Sequence, residues 1–293
     1  MITGTIVKGI AGFYYVKAEE KIFECKARGK FRNVNITPYI GDIVKIIPNE
    51  NQLTGSIIEI LPRKNLLIRP PVANIDQAII VFAAKSPDPK LQLLDRFLVL
   101  VEEQNLDICI CINKIDLDQE KEYEAVRLIY EKAGYKVILT STVFNIGIEE
   151  IKKELINKTT VFAGPSGVGK SSLLNTVDSN LKLKTGDISQ KVKRGKHTTR
   201  HVELLPLKEG GFVLDTPGFS SLSLENISSN MLQKFFREFE SYRDYCKFSE
   251  CSHIHEPQCM IKQKVDEGII DKGRYERYKL IYNELESARQ RRW

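Results

Sequence analysis

No apolar run in this chain of 293 residues reaches the ~20 positions needed to span a bilayer. The N-terminal stretch Met1-Ile2-Thr3-Gly4-Thr5-Ile6-Val7-Lys8 lacks the basic-then-apolar layout of a secretory signal. Internal repeats and low-complexity linkers are missing too. These absences argue against a membrane partner and for a cytoplasmic protein. The six cysteines do not form a disulfide framework. Cys25, Cys109 and Cys111 are scattered in apolar segments, where they read as small buried residues. Charge of one sign is only mildly in excess, at +6. Its distribution says more. Lys182, Lys184, Lys191, Lys193, Arg194, Lys196 and Arg200 face a single acidic residue, Asp187. Such a segment attracts phosphate, from nucleotide or RNA, or is simply a solvated lysine-rich loop.

What is present divides into three. Residues 1 to 64 carry five short strand-like runs between turn signals, which fits a small barrel of the OB type, with an SH3-like barrel as the alternative. Lys and Arg outnumber Asp and Glu there by ten to six. Pro62 and Pro70-Pro71 mark a boundary. Residues 65 to 222 then alternate doubly apolar strands (77–82, 106–112, 136–139, 160–163) with helical spacing at 91–104 and 120–133, the pattern of a parallel α/β sheet. Further strands are expected at 202–205 and 211–214. Residues 223 to 293 are polar and helical, with helical spacing at 231–239 and 274–289 around a cysteine-rich loop.

The middle segment holds three nucleotide motifs. Gly164-Pro165-Ser166-Gly167-Val168-Gly169-Lys170-Ser171 reads as a phosphate loop between a strand and a helix. Its backbone N–H groups would cradle phosphates. Lys170 would reach the β and γ oxygens, Ser171 would ligate Mg²⁺, and Ser172 follows in the same first turn. Asn113-Lys114-Ile115-Asp116 reads as N-K-x-D. The Asp116 carboxylate can accept two hydrogen bonds from guanine N1–H and N2, which adenine cannot offer. Asn113 can address the other guanine edge and tie the loop down, and the Lys114 stem can cover the base. Ser141 and Thr142, after the next strand, lie where GTPases contact guanine O6. Asp215-Thr216-Pro217-Gly218 supplies Asp215 for Mg²⁺ through water and the Gly218 N–H for the γ-phosphate. N-K-x-D precedes the phosphate loop here, the reverse of the Ras order, so the domain is circularly permuted. A P-loop ATPase or small-molecule kinase is the competing reading, against which Asp116 stands.

A water-positioning Gln after D-x-x-G is missing, and Phe219 stands there instead. Upstream, Thr199 first and Thr198 second are candidates for Mg²⁺ and γ-phosphate contact. His197 is the candidate to orient or deprotonate water, or else it contacts a partner. Cys246-x₄-Cys251-x-His253-x₅-Cys259 supplies three thiolates and an imidazole, a set suited to one structural Zn²⁺. His255 is a competing ligand.

The motif order, Arg194-Gly195-Lys196-His197-Thr198-Thr199, Asp215-Thr216-Pro217-Gly218-Phe219 and the Cys/His spacing together resemble the RsgA (YjeQ/YloQ) family of small-subunit-dependent GTPases. The resemblance covers essentially the whole chain. Arg200 and Pro165 depart from common family residues without removing a required group. The resemblance implies a multidomain fold: an OB-fold barrel, a circularly permuted P-loop GTPase and a helical zinc-binding domain. It implies a cytoplasmic enzyme, expected to be monomeric, that acts on GTP and matures the small ribosomal subunit with its 16S rRNA. A nucleotide-gated RNA-binding module with incidental hydrolysis is the alternative.

Overall fold

The computed structural model describes residues 1–27, 37–68, 70–184, 202–215 (Asp215 by its backbone alone), 224 and 227–290. Along the chain run β1 (Ile2–Ile10), β2 (Phe13–Ala18), β3 (Lys21–Ala27), β4 (Ile43–Pro48), β5 (Thr54–Ile60), β6 (Leu66–Ile68), β7 (Pro71–Ala73) and β8 (Gln77–Ala83). Then come α1 (Leu91–Glu103), β9 (Asp107–Asn113), α2 (Tyr123–Lys132), β10 (Lys136–Leu139), α3 (Ile148–Leu155), β11 (Thr159–Ala163) and α4 (Lys170–Val177). After them follow β12 (Glu203–Pro206), β13 (Phe212–Asp215), α5 (Glu240–Arg243), α6 (Met260–Asp266) and α7 (Lys272–Gln290). No helix among the described residues is long and apolar enough to cross a membrane.

The chain forms two compact units. One comprises Met1–Ala78, Ile148–Phe162 and Lys170–Ser220. Its first five strands close into a barrel. β1–β2, β2–β3, β4–β5 and β1–β4 pair antiparallel, while β3 and β5 pair in parallel from Glu24↔Thr54 to Ala27↔Ile57. That order, with its one parallel pair, is the OB arrangement and decides against the SH3-like alternative. Inward-facing Ile6, Val16, Phe23, Cys25, Val44, Ile46 and Ile57 fill the barrel. Buried Asp42 closes one end, accepting from Arg63 Nε at 2.7 Å and from the Tyr39 amide at 2.7 Å. The Pro70-Pro71 boundary is a small hairpin of β6 and β7.

The same unit continues the sheet beyond the barrel. β1 pairs with β12 at Lys8↔Glu203, and the Lys8 ammonium meets the Glu203 carboxylate at 2.9 Å. β12 pairs antiparallel with β13, and β13 runs parallel to β11. The sheet is therefore mixed here rather than wholly parallel. The reason is local: the Gly210-Gly211 turn, with φ of 90° and 91°, folds β12 and β13 into a hairpin.

The second unit comprises Ile79–Gly147, Ala163–Gly169 and Ser221–Trp293. Its strands lie in the order β10-β9-β8, with β9 and β10 parallel. All seven residues of β8 are buried, as its unbroken apolar sequence requires. The expected helix at 231–239 is instead two 3₁₀ turns, Ser229–Phe235 and Arg237–Phe239. Phe236 between them is extended, at φ −111° and ψ 96°. Leu232, Phe236 and Phe239 still bury together with Tyr275, Tyr278, Ile281, Cys251 and Cys259 in one core. Their helical spacing is met by successive turns, because that core holds the side chains without a continuous helix.

Candidate nucleotide site and metal-ligating cluster

The phosphate loop leaves β11 and opens α4 as its motif requires. Gly164 has φ 132°, and a Cβ there would collide with the Val81 carbonyl oxygen. Gly169 has φ 93°, and a Cβ there would come within 2.5 Å of Asn113 Nδ2. Both glycines are thus favoured by close approach, of backbone at Gly164 and of a side chain at Gly169, as well as by conformation. The loop is packed against the base-reading motif by hydrogen bonds. Asn113 Nδ2 donates to the Val168 carbonyl at 2.9 Å. Lys114 Nζ donates to the Gly167 carbonyl at 2.6 Å and to the Ser86 carbonyl. Asn113 Oδ1 in turn accepts from Thr140 Oγ1 at 2.9 Å. Of the two tasks expected of Asn113, its side chain performs the second and ties the loop down.

Lys114 sits at φ 61°, which turns the chain sharply off β9 into the 3₁₀ turn Ile115–Leu117. Asp116 is half-buried on that turn, and Ser141 Oγ donates to its Oδ1 at 2.5 Å. The loop after β10 is held by a reciprocal backbone bridge between Ser141 and Ile146. Thr142 is half-buried in this loop. Ser141 therefore acts on the carboxylate that would read guanine. Within α4, Ser171 is buried, and Lys170 and Ser172 are half-buried. Burial lowers the Lys170 ammonium to about 8, because a cation taken out of water loses its solvation. Exposed Ser166 and Gly167 and half-buried Pro165 form the loop's outer rim.

The register Val161↔Leu214 brings the backbone of Asp215 alongside the last residues of β11, at the mouth of the phosphate loop's strand. His197, Thr198, Thr199, Gly218 and Phe219 lie outside the described residues. Ser86 was not legible as a site residue: its only contribution here is a backbone carbonyl, which no side-chain pattern signals.

Cys246, Cys251, His253 and Cys259 converge, with their ligand atoms all within 4.8 Å of one another. His255 is exposed and stands outside the cluster. His253 Nδ1 lies 3.5 Å from Cys246 Sγ and 3.4 Å from Cys259 Sγ, and the two sulfurs are 3.9 Å apart. A tetrahedron with ~2.3 Å metal–sulfur and ~2.0 Å metal–nitrogen bonds has edges of about 3.5 to 3.8 Å. The four residues thus fit a zinc-sized ion. Burial pulls the His253 imidazole down to about 4, leaving it neutral and able to ligate. Burial raises the Cys251 and Cys259 thiols, a cost that a bound cation offsets by taking thiolates. The loop itself is tied by Glu256. Burial pushes that carboxyl up, but hydrogen bonds from Ser252 and the Ile254 amide prevail and hold it at about 2.

Comparison with known proteins agrees with this geometry. The RsgA GTPase family model matches residues 60–225, and the RsgA N-terminal domain model matches residues 3–57. A relative from Caldanaerobacter subterraneus subsp. tengcongensis is 51% identical over 293 residues, covering 100% of this chain and 98% of its own. One from Alkaliphilus metalliredigens is 49% identical over 290 residues, covering 99% of each. Both are named small ribosomal subunit biogenesis GTPase RsgA. The crystal structure of YjeQ from Thermotoga maritima is 39% identical with a TM-score of 0.85, over 97% of this chain and 98% of that one. That of YloQ, described as a circularly permuted GTPase, is 39% identical with a TM-score of 0.82, over 98% of this chain and 96% of that one. A base-reading loop bonded to a phosphate loop that follows it in sequence, a five-stranded barrel and a Cys/His cluster are therefore the parts of a circularly permuted GTP-hydrolysing enzyme, and the chain belongs to the RsgA GTPase family.

Proposed function

We propose that this protein binds the small ribosomal subunit, through its 16S rRNA, late in maturation and hydrolyses GTP to GDP and phosphate when the subunit stimulates it. The names of its relatives, at about half identity over the full chain, support the biological role. The observation that carries the chemistry is the bonding of Asn113 and Lys114 onto Val168 and Gly167. It joins guanine selection to phosphate binding in one hydrogen-bonded loop pair. The protein works in the cytoplasm as a monomer, with 1–64 as barrel, 65–222 as GTPase and 223–293 as metal-binding segment.

Each residue then has a task. Asp116 accepts from guanine N1–H and N2, oriented by Ser141, with Thr142 and Ile115 shaping the base edge. Lys114 covers the base. Backbone N–H groups of Gly164 and of residues 166–169, and the Lys170 ammonium, hold the β and γ phosphates, with Ser172 in the first turn beside them. Ser171 and Thr199 would ligate Mg²⁺, with Thr198 as the second candidate for the place of Thr199 and Asp215 acting through a water. A bound Mg²⁺ would neutralise charge on the phosphate oxygens. Gly218 N–H senses the γ-phosphate. His197 orients the attacking water, since Phe219 cannot. Cys246, Cys251, His253 and Cys259 would hold one structural Zn²⁺, whose bonds would stabilise the fold of the C-terminal segment.

The test is GTP hydrolysis with and without purified small subunits, with ATP as control. Stimulation specific to GTP is expected. A rate that subunits leave unchanged would overturn the reading. His197→Ala should lower turnover at least tenfold while GTP binding persists. If assembly in cells survives that loss, binding alone is the function.

A further inference from the structure

The imidazole of His253 has two nitrogens, and only one faces the thiols. Nδ1 lies within 3.5 Å of Cys246 Sγ and Cys259 Sγ. Nε2 points the other way and lies 2.7 Å from Gln233 Oε1. A neutral imidazole carries one proton, and the nitrogen without it is the ligand. An amide oxygen accepts only, so a proton on Nε2 satisfies Gln233 and leaves the Nδ1 lone pair aimed into the cluster. Other contacts fix the position of the His253 backbone and ring. Tyr275 Oη donates to the His253 carbonyl at 2.7 Å, and the Phe239 ring meets the imidazole edge-on at 5.7 Å between centroids.

We infer that Gln233 is the outer positioning residue of the metal centre, selecting the Nε2–H tautomer of His253 so that Nδ1 binds the ion. The inference rests on the proposed zinc reading. It adds a fifth residue, from outside the Cys/His loop, to what determines metal affinity. Gln233 belongs to the 3₁₀ turn Ser229–Phe235, which precedes the Cys/His loop in the chain. Outer partners of this kind change metal affinity by ~10–100-fold when removed.

The experiment uses the full-length protein, loaded with zinc and labelled with ¹⁵N at histidine. Long-range ¹H–¹⁵N correlation reads which ring nitrogen of His253 carries the proton, and competition with a chromophoric chelator reads zinc affinity. The wild type should show Nε2–H with Nδ1 bound. Gln233→Leu should lose zinc affinity by roughly 10–100-fold, and Gln233→Glu, which keeps an acceptor oxygen, should stay within about threefold of wild type. Ligation through Nε2 in the wild type, or a Gln233→Leu protein that binds zinc as the wild type does, overturns the inference while leaving zinc binding intact. A wild-type protein that takes up no zinc overturns the metal reading as well. The tautomer in the wild type decides the matter even if Gln233→Leu fails to fold.

Discussion

Arg274 of α7 donates to Asp95 of α1 at 2.6 Å, and the two side chains are 1% and 0% exposed. The same Asp95 accepts from Tyr130 Oη at 2.6 Å and from Arg277. Arg274 also donates to Glu238 at 2.5 Å and lies over the rings of Phe236 and Tyr130. Asp95 and Tyr130 belong to the base-reading half of the GTPase, while Glu238, Arg274 and Arg277 belong to the C-terminal segment. A buried ionic network therefore fastens the C-terminal segment to that half within one compact unit.

Asp95→Ala removes the carboxylate that Arg277 and the Tyr130 hydroxyl share, and leaves Arg274 to its second partner, Glu238. Breaking a buried pair from one side costs ~3–5 kcal/mol. Denaturant unfolding should show a loss of that order. The exposed pair Lys45–Glu59, at 2.8 Å, should lose less than ~1 kcal/mol on Glu59→Ala. Equal losses at the two sites would mean the network is not acting as a unit.

Ser141→Ala leaves Asp116 in place but removes the hydroxyl that orients it. A hydrogen bond to a charged group contributes ~1.5–3 kcal/mol, part of which water replaces at this half-buried site. GDP should bind about tenfold more weakly by calorimetry, and the preference for guanine over adenine nucleotides should narrow. Asp116→Ala should abolish that preference.

Gly12 and Gly164 both have positive φ, at 85° and 132°. Only Gly164 faces backbone where a Cβ would sit, whereas Gly12 opens to free space within 4 Å. Gly12→Ala should cost about 1 kcal/mol from strain alone. Gly164→Ala should cost several times more and should displace the phosphate loop from Val81, visible as lost nucleotide binding together with lowered Tm.

Stripping the metal with a chelator should act on one core and spare the other. Hydrogen exchange should quicken at residues 229–270, where the 3₁₀ turns and α6 pack on Cys251 and Cys259. The barrel core of Ile6, Val16, Val44, Ile46 and Ile57 shares no residue with that cluster and should keep its protection. Uniform acceleration would contradict the division into two units.

Much of this was legible in the chain because motif residues announce themselves through backbone demands. Gly164 and Gly169 are where they must be, and Asn113 and Lys114 follow a doubly apolar strand. The barrel's five strands showed in their turns, but the parallel pairing of β3 with β5 did not, since pairing partners leave no mark in a short alternating run. Leu232, Phe236 and Phe239 have helical spacing, yet tertiary packing on Tyr278 and His253 holds them in 3₁₀ turns. The Arg274–Asp95 pair was invisible for a different reason. An Arg on a polar helix reads as solvated, and its partner lies 179 residues earlier.

The pairing of β1 with β12 bears on how the chain is made. During synthesis the outer edge of β1 emerges first, while the strand that covers it near Lys8 and Glu203 emerges almost two hundred residues later. At ~5–20 residues per second the interval is roughly 10–40 s. Throughout it a nearly complete barrel must present an uncapped strand edge to the crowded surface of the translating ribosome. Lys8 on that edge supplies the charge that discourages stray strand pairing, until Glu203 arrives to neutralise it.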